Sequence, residues 1–390
     1  MDLKEKALKI HEQKKGKLEM KSKVEVNNLE DLSLVYTPGV AEPCLKIQQN
    51  QKDAYKYTSK GNNVAIITNG TAVLGLGNIG ALASIPVMEG KAILLKKFAN
   101  IDSFPICIDS ENTEEIINII SKISSFFGAI NLEDFKAPEC FEIETKLKEK
   151  LNIPVFHDDQ HGTAIVITAG ILNALKVVGK KIEEVEIVIL GAGSAGIATA
   201  KLLLLLKPKN IVLIDKEGAI NRNSNCFLNE SHKKMALITN FNNEKGNLES
   251  TIKNKDIFIG LSKPNLLTKE MVSTMKKDAI VFALANPIPE IFPEEAKKGN
   301  ARIVATGRSD FPNQINNLLV FPGIFRGALN VQAEQITEEM KLSSAYALSN
   351  VIPENELNEN YIIPSIFNPK ATKAVTEAVE KIALKTKMNK

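Results

Sequence analysis

Two short runs of this chain place carboxylates side by side behind apolar residues: INLEDF at 130–135 and FHDDQHGT at 156–163. Oxygens from Glu133, Asp134 and Asp159 suit a hard divalent ion such as Mg2+ or Mn2+, with water and substrate oxygens filling the remaining positions. A single acidic pair is ordinarily a helix cap or a solvated surface. Two pairs, both closing extended apolar runs, weaken that reading. The same segment spaces His157 and His161 like the histidines of a zinc hydrolase, a motif that needs both on one helical face. Pro154, Val155 and Phe156 make the approach to His157 extended, and the next helix is expected near Gly162 and Thr163, so zinc hydrolysis is set aside.

The second chemistry-bearing pattern is glycine. GxGxxG occurs twice, as GLGNIG at 75–80 and GAGSAG at 191–196. The second follows the apolar run IVIL, opens a proline-free helix and leads to a strand ending at Asp215, which completes a βαβ unit. In that setting Gly191, Ala192, Gly193, Ser194, Ala195 and Gly196 form a tight turn whose helix N-terminal amides meet a dinucleotide pyrophosphate. Asp215 accepts from the adenosine ribose and favours NAD, because a carboxylate repels a 2′-phosphate. Lys216 and Arg222 could offset that repulsion and keep NADP open. The first motif meets Pro86 and Gly90 soon after Gly80, so a long helix is not expected there. It reads as a turn-rich loop at an active site.

The elements that must position these residues follow an α/β rhythm. VAIIT (64–68), PICID (105–109) and a helical run at 114–128 come first. A helix from Ala164, EIVILGAG (186–193), a helix from Ile197, NIVLID (210–215) and strand-like runs at 256–262, 279–287 and 302–307 follow. This is the pattern of a doubly wound parallel sheet. The Asn-rich stretch 216–250 reads as an insertion with one helix, and ATKAVTEAVEKIALK as a final helix packed on a domain. Internal repeats are absent.

At 390 residues the chain calls for two domains. Its 44% hydrophobic content is that of a folded protein, and a dispersed net charge of +3 gives no reason to expect nucleic acid. Cys44, Cys107, Cys140 and Cys226 lack metal-type spacing and read as reduced core thiols. The N-terminus lacks the apolar stretch of a secretory signal, and the longest apolar run, at 202–206, stops at Lys207 and Pro208. Neither a membrane partner nor a membrane span is expected, and the expected compartment is the cytoplasm.

With these segments in view, the chain resembles the malic enzymes, specifically the short bacterial form, over essentially its whole length. The motifs that carry the resemblance stand in order: VYTPGVAEPC (35–44), NGTAVLGLGNIG (69–80), PVMEGKAILLKKFANID (86–102), INLEDF, APECFEIE (137–144), IPVFHDDQHGTAIV (153–166), ALANPIPEI (283–291), ATGRSDFPNQINN (305–317) and FPGIFRGAL (321–329). The resemblance implies oxidation of L-malate by NAD or NADP, with release of pyruvate and carbon dioxide and dependence on Mg2+ or Mn2+. It assigns Tyr36 as general acid, Lys91 as general base, Asp158 as an auxiliary acid near Lys91, and Glu133, Asp134 and Asp159 as metal ligands. Asn286 and Asn317 are implied at the substrate carboxylate and the nicotinamide end. Read without it, Tyr36 is a packed turn tyrosine, Lys91 a surface cation and the asparagines turn formers.

The implied architecture is a substrate and metal domain over residues 1–160, then a Rossmann-type dinucleotide domain over 161–390, with the site in the cleft and a homodimer as the assembly. Larger eukaryotic relatives bind a substrate carboxylate with an arginine where this chain has Ala72, so that anchor is unassigned. The alternatives are a non-decarboxylating 2-hydroxy-acid dehydrogenase and a catalytically silent dinucleotide sensor.

Overall fold

Apolar, β-branched runs without polar alternation belong in parallel strands covered on both faces. The computed structural model describes residues 2–223 and 229–388, so Cys226 lies outside the described residues. After α1 (Leu3–Lys14), α2 (Leu29–Val35), α3 (Ala41–Gln49) and α4 (Ala54–Tyr57), a first sheet is built from β1 (Asn63–Thr68), β2 (Asp102–Cys107), β3 (Ala129–Leu132) and β4 (Val155–His157). Its strands are parallel in the order β2-β1-β3-β4. The connecting helices are α5 (Gly80–Ala99), α6 (Thr113–Ile123) and α7 (Glu139–Lys150).

Helix α8 (Asp158–Val178) leads to a second sheet of β5 (Glu186–Leu190), β6 (Asn210–Asp215), β7 (Gly218–Ala219), β8 (Ile257–Gly260), β9 (Ala279–Ala283) and β10 (Ala301–Thr306). The order β10-β9-β8-β5-β6-β7 reverses direction at β5, and only β7 is antiparallel. A reversal of this kind opens a ligand crevice at the carboxyl ends of the strands, where GAGSAG lies. Between the strands stand α9 (Ser194–Leu204), α10 (Glu230–Ile238), α11 (Leu248–Thr251), α12 (Lys269–Ser273) and α13 (Pro293–Lys298). The chain ends in α14 (Phe321–Asn330), α15 (Glu338–Ser349) and α16 (Pro369–Met388). Helices α14 and α16 pack on each other and on α5, while α15 packs on α8. The largest apolar cluster accordingly runs from Val64 and Met88 of the first sheet layer to Val375 and Val379 of α16.

Several expectations need correction. A long helix does begin at Gly80, with Pro86 inside it. Leu82, whose carbonyl loses the proline N–H, stands 82% exposed where water can bond it, while Ala81, Ser84, Met88, Ala92 and Leu95 are buried on the opposite face. Packing outweighs propensity there. Helix α8 begins at Asp158 rather than near Gly162, because the two carboxylates suit the positive end of a helix. By length and composition α8 could cross a membrane, contrary to the reading that no segment is long enough; 67% of its most apolar stretch is buried, which marks a core helix here. The 216–250 stretch holds two helices, α10 and α11. Cys44 is exposed and Cys107 half-buried, leaving Cys140 as the core thiol among the described residues.

Candidate active site

The two acidic pairs meet because β3 and β4 are hydrogen-bonded in register. Leu132 pairs with His157, so the chain delivers Glu133 beside Asp158 and Asp134 beside Asp159 at the carboxyl edge of the sheet. One carboxylate oxygen from each of Glu133, Asp134 and Asp159 lies within 4.8 Å of the others. Lys91 comes from the buried face of α5, its Nζ 2.6 Å from Asp158 Oδ2, 2.8 Å from Glu133 Oε1 and 4.3 Å from the Phe321 ring centre. Asn317 Nδ2 donates to the same Asp158 oxygen at 2.7 Å. Asp158 reaches both partners because residue 162, one turn along α8, is glycine: a Cβ there would lie 1.8 Å from Asp158 Oδ1.

Burial, followed by the neighbouring carboxylates, raises Glu133 well above the ordinary range even though Lys91 opposes the shift. Asp134 is pushed up to about 7 by burial and by Asp159. Burial also raises Asp158, against the pull of Lys91. Asp159 goes the other way: burial is outweighed by His157, whose Nε2 stands 3.0 Å from Asp159 Oδ2. For Lys91, burial disfavours the charge, but Asp158 and Glu133 prevail and hold the ammonium well above its usual range. Four carboxylates thus share one lysine, and Asp134 Oδ2 and Asp158 Oδ1 are buried without a hydrogen-bond partner. An all-oxygen donor set with a buried, unpartnered oxygen on one of its members fits a hard divalent cation.

A further polar network, which sequence reasoning missed, lies behind the acids. His157 Nδ1 is 2.8 Å from Gln160 Nε2, and Glu144 of α7 meets His161 Nε2 at 2.8 Å and Lys148 at 2.7 Å. Lys341 of α15 closes the network 3.0 Å from His161 Nδ1. His157 and His161 therefore face opposite polar partners, one from a strand and one from a helix, which is not a zinc pair.

The acid cluster opens on a cavity of about 790 Å³. Asp159 and Asn317 line it from one side, Ser194 and Ala195 of the glycine turn and Asn286 from the other, and the 72–77 loop with Ala72 from a third. The glycine turn is tight for a local reason: Gly191 has φ +106°, and a Cβ on Gly196 would meet the Gly191 carbonyl oxygen at 1.8 Å. Asn286 fits because Gly307 has no Cβ, which would come 2.5 Å from Nδ2. Asp215 ends β6 and is partly exposed, while Lys216 and Arg222 point to solvent. The side chain the structure places beside Asp215 is instead His232 of α10, Nδ1 to Oδ2 3.9 Å. Glu290 is fully buried and accepts from Ser262 N–H at 2.9 Å and Ala285 N–H at 3.0 Å, stapling two loops of the cavity wall.

Of the predicted site residues, Asp215 does not line the cavity, and Tyr36 is held apart from the acid cluster. It ends α2, is 66% exposed and does not line the cavity either. None of residues 2–62 is buried, so this whole N-terminal stretch lies on the surface of the chain.

Comparison with known proteins gives two domain matches: the malic enzyme N-terminal domain over residues 13–148 and the malic enzyme NAD binding domain over 160–384. An NAD-dependent malic enzyme of Geobacillus stearothermophilus is 55% identical over 95% of this chain and 77% of that protein. A bifunctional malic/malolactic enzyme of Bacillus subtilis is 52% identical over 99% and 94%. The crystal structure of an NAD-dependent malic enzyme from Thermotoga maritima superposes with a TM-score of 0.93 at 48% identity, covering 96% of this chain and 98% of that one.

Proposed function

The chain belongs to the malic enzyme family, and from that premise we propose that it oxidises L-malate to pyruvate and carbon dioxide with reduction of NAD or NADP, using a divalent cation held by Glu133, Asp134 and Asp159. The observation that carries this reading is that Asp159, Asn317, Asn286 and the Ser194–Ala195 turn bound one shared cavity, with Lys91 behind its acidic wall. The natural division of labour puts substrate and metal on residues 1–160 and the dinucleotide on 161–390.

A cation held by Glu133, Asp134 and Asp159 would supply Lewis acidity toward the substrate oxygens, and a dinucleotide in the cavity beside Ser194 and Ala195 would supply the hydride acceptor. Lys91 takes the C2 hydroxyl proton, which requires it to be neutral. Asp158 and Glu133 hold its proton in place; a cation held by Glu133, Asp134 and Asp159 would engage one of these two groups and favour the neutral amine. Asp158, fixed between Lys91 and Asn317, keeps the amine aimed and receives the displaced charge. Asn286 and Asn317 offer amide donors to the substrate carboxylate and the nicotinamide end. Loss of the C4 carboxylate of the oxidised product as carbon dioxide leaves an enolate that must be protonated at C3, the task assigned to Tyr36.

Tyr36 sits on a stretch whose Leu3, Leu8, Met20, Leu29 and Leu34 are each more than two thirds exposed. A homodimer would cover these side chains and bring Tyr36 to a site completed by the second copy. The test is to incubate purified protein with L-malate and Mn2+, follow reduced-cofactor absorbance with NAD and NADP separately, and assay pyruvate and carbon dioxide. Stoichiometric pyruvate that disappears on chelation supports the proposal. Cofactor reduction giving oxaloacetate alone indicates a plain 2-hydroxy-acid dehydrogenase.

A further inference from the structure

His232 is buried in the first turn of α10, where Asn229 Oδ1 accepts its backbone N–H at 3.0 Å. Its ring stands between the two halves of the dinucleotide fingerprint. Nε2 is 2.9 Å from the Ala192 carbonyl oxygen, and Nδ1 is 3.9 Å from Asp215 Oδ2. A carbonyl oxygen can only accept, so Nε2 carries the proton and Nδ1 is turned to Asp215. The ring is held from behind, since Met235 and Ala236 of α10 lie in the main core and Asn240, just past the helix, donates its N–H to Ile211 of β6 at 2.7 Å. The 216–250 stretch thus contributes one side chain to the cofactor loop.

We infer that His232 is a positioning residue for the adenosine and pyrophosphate half of the dinucleotide, an inference that rests on the nicotinamide-cofactor reading above. The Ala192 carbonyl and the Gly193 N–H belong to one planar trans peptide and point in opposite directions. Holding the carbonyl back on His232 aims the Gly193 N–H the other way. A Cβ on Gly193 would meet nothing within 4 Å, so that residue borders open space where a phosphate can approach the helix N-terminus. The same ring flanks Asp215, so one side chain sets both the amide that meets the pyrophosphate and the surroundings of the carboxylate that meets the ribose.

The experiment measures ADP-ribose and NADH binding to the full chain by calorimetry, with KM and kcat for NAD and malate, in wild type, His232→Leu and His232→Gln. ADP-ribose lacks the nicotinamide and reports the adenosine half directly. In His232→Leu its dissociation constant and the KM for NAD should rise about tenfold, the scale of one lost hydrogen bond, while kcat at saturating NAD and the KM for malate hold. His232→Gln, whose amide can still donate to Ala192, should recover most of the affinity. Unchanged ADP-ribose affinity in His232→Leu overturns the inference, and so does an equal loss of ADP-ribose and malate affinity, which marks general disruption. A wild-type chain that binds neither ADP-ribose nor NADH overturns the cofactor reading itself, before any variant is compared.

Discussion

Gly162→Ala sets two effects of known sign against each other at the acid cluster. An alanine within α8 gains about 1 kcal/mol of helix propensity over glycine. Its Cβ would lie 1.8 Å from Asp158 Oδ1 and 2.9 Å from its Cγ, with Asn317 Cβ at 3.2 Å on the other side. The carboxylate has to swing away and release Lys91 at 2.6 Å and Asn317 at 2.7 Å. Hydrogen bonds to charged groups contribute about 1.5–3 kcal/mol each. Lys91 keeps Glu133 at 2.8 Å, so it is not stranded and the lower figure applies. Two such bonds lost against one propensity gain leave a net destabilisation of about 2 kcal/mol. The amine also loses its aim, and a misplacement of about 1 Å costs roughly 100-fold in turnover. Gly90→Ala on α5 is the control, because its Cβ meets only Lys17 Nζ, at 3.6 Å. Denaturant unfolding of the chelated protein and kcat for malate oxidation should separate the pair: Gly90→Ala up to about 1 kcal/mol more stable with turnover kept, Gly162→Ala less stable and slow. A Gly162→Ala protein as stable as the control, with wild-type kcat, would show that Asp158 moves without consequence and would refute the role given to it.

Lys91→Arg keeps a cation facing Asp158 and Glu133 but cannot release its proton, so malate oxidation should fall about 10²–10⁴-fold while calorimetric Mn2+ affinity holds; near-normal turnover would remove Lys91 as the base. Tyr36→Phe should leave hydride transfer fast and slow the protonation of enolpyruvate, which single-turnover kinetics resolves; equal slowing of both steps counts against the assignment. Mn2+ affinity should rise with pH through about 7, since the cation competes with the proton on Asp134. The sign for the chelated protein is opposite: Asp134 is raised from 3.8 to about 7 in the fold, so its contribution to stability is present at low pH and lost as pH rises through about 7. Melting temperatures with and without Mn2+ should therefore diverge across that interval, and parallel curves would contradict it.

What the sequence could convey divides along physical lines. Parallel strands covered on both faces read as apolar runs, so β1, β5, β6, β8, β9 and β10 were legible from the local pattern. The acidic pairs were legible as pairs, but their meeting depends on the register of Leu132 against His157, a long-range pairing that no local pattern encodes. Helix α5 was misread because Pro86 is a local signal, whereas the burial of Met88, Ala92 and Leu95 that overrides it is tertiary. His232 and Glu290 stayed hidden for a similar reason: a single histidine in a polar insertion and a single glutamate after a proline carry no spacing, and each acquires its place only when the chain folds over the carboxyl ends of β5 and β8. Tyr36 was found by motif and does not line its own chain's cavity, so the role given to it rests on the proposed dimer.

Helix α8 joins the acid cluster to the dinucleotide turn without a flexible linker. Its first turn carries Asp158 and Asp159 beside β3, its middle packs on α9, which starts at the dinucleotide turn, and α15 clamps it through Lys341 and His161. Adjacent residues at one helix end thus do different work: Asp159 faces the cavity, and Asp158 turns back to Lys91 and Asn317. Asn317 follows β10 of the second sheet, so the 2.7 Å bond to Asp158 joins the two halves of the chain at the acid cluster. Separating α8 from the loop after β10 would break this bond and remove one of the two groups that hold Asp158 in place, the other being Lys91.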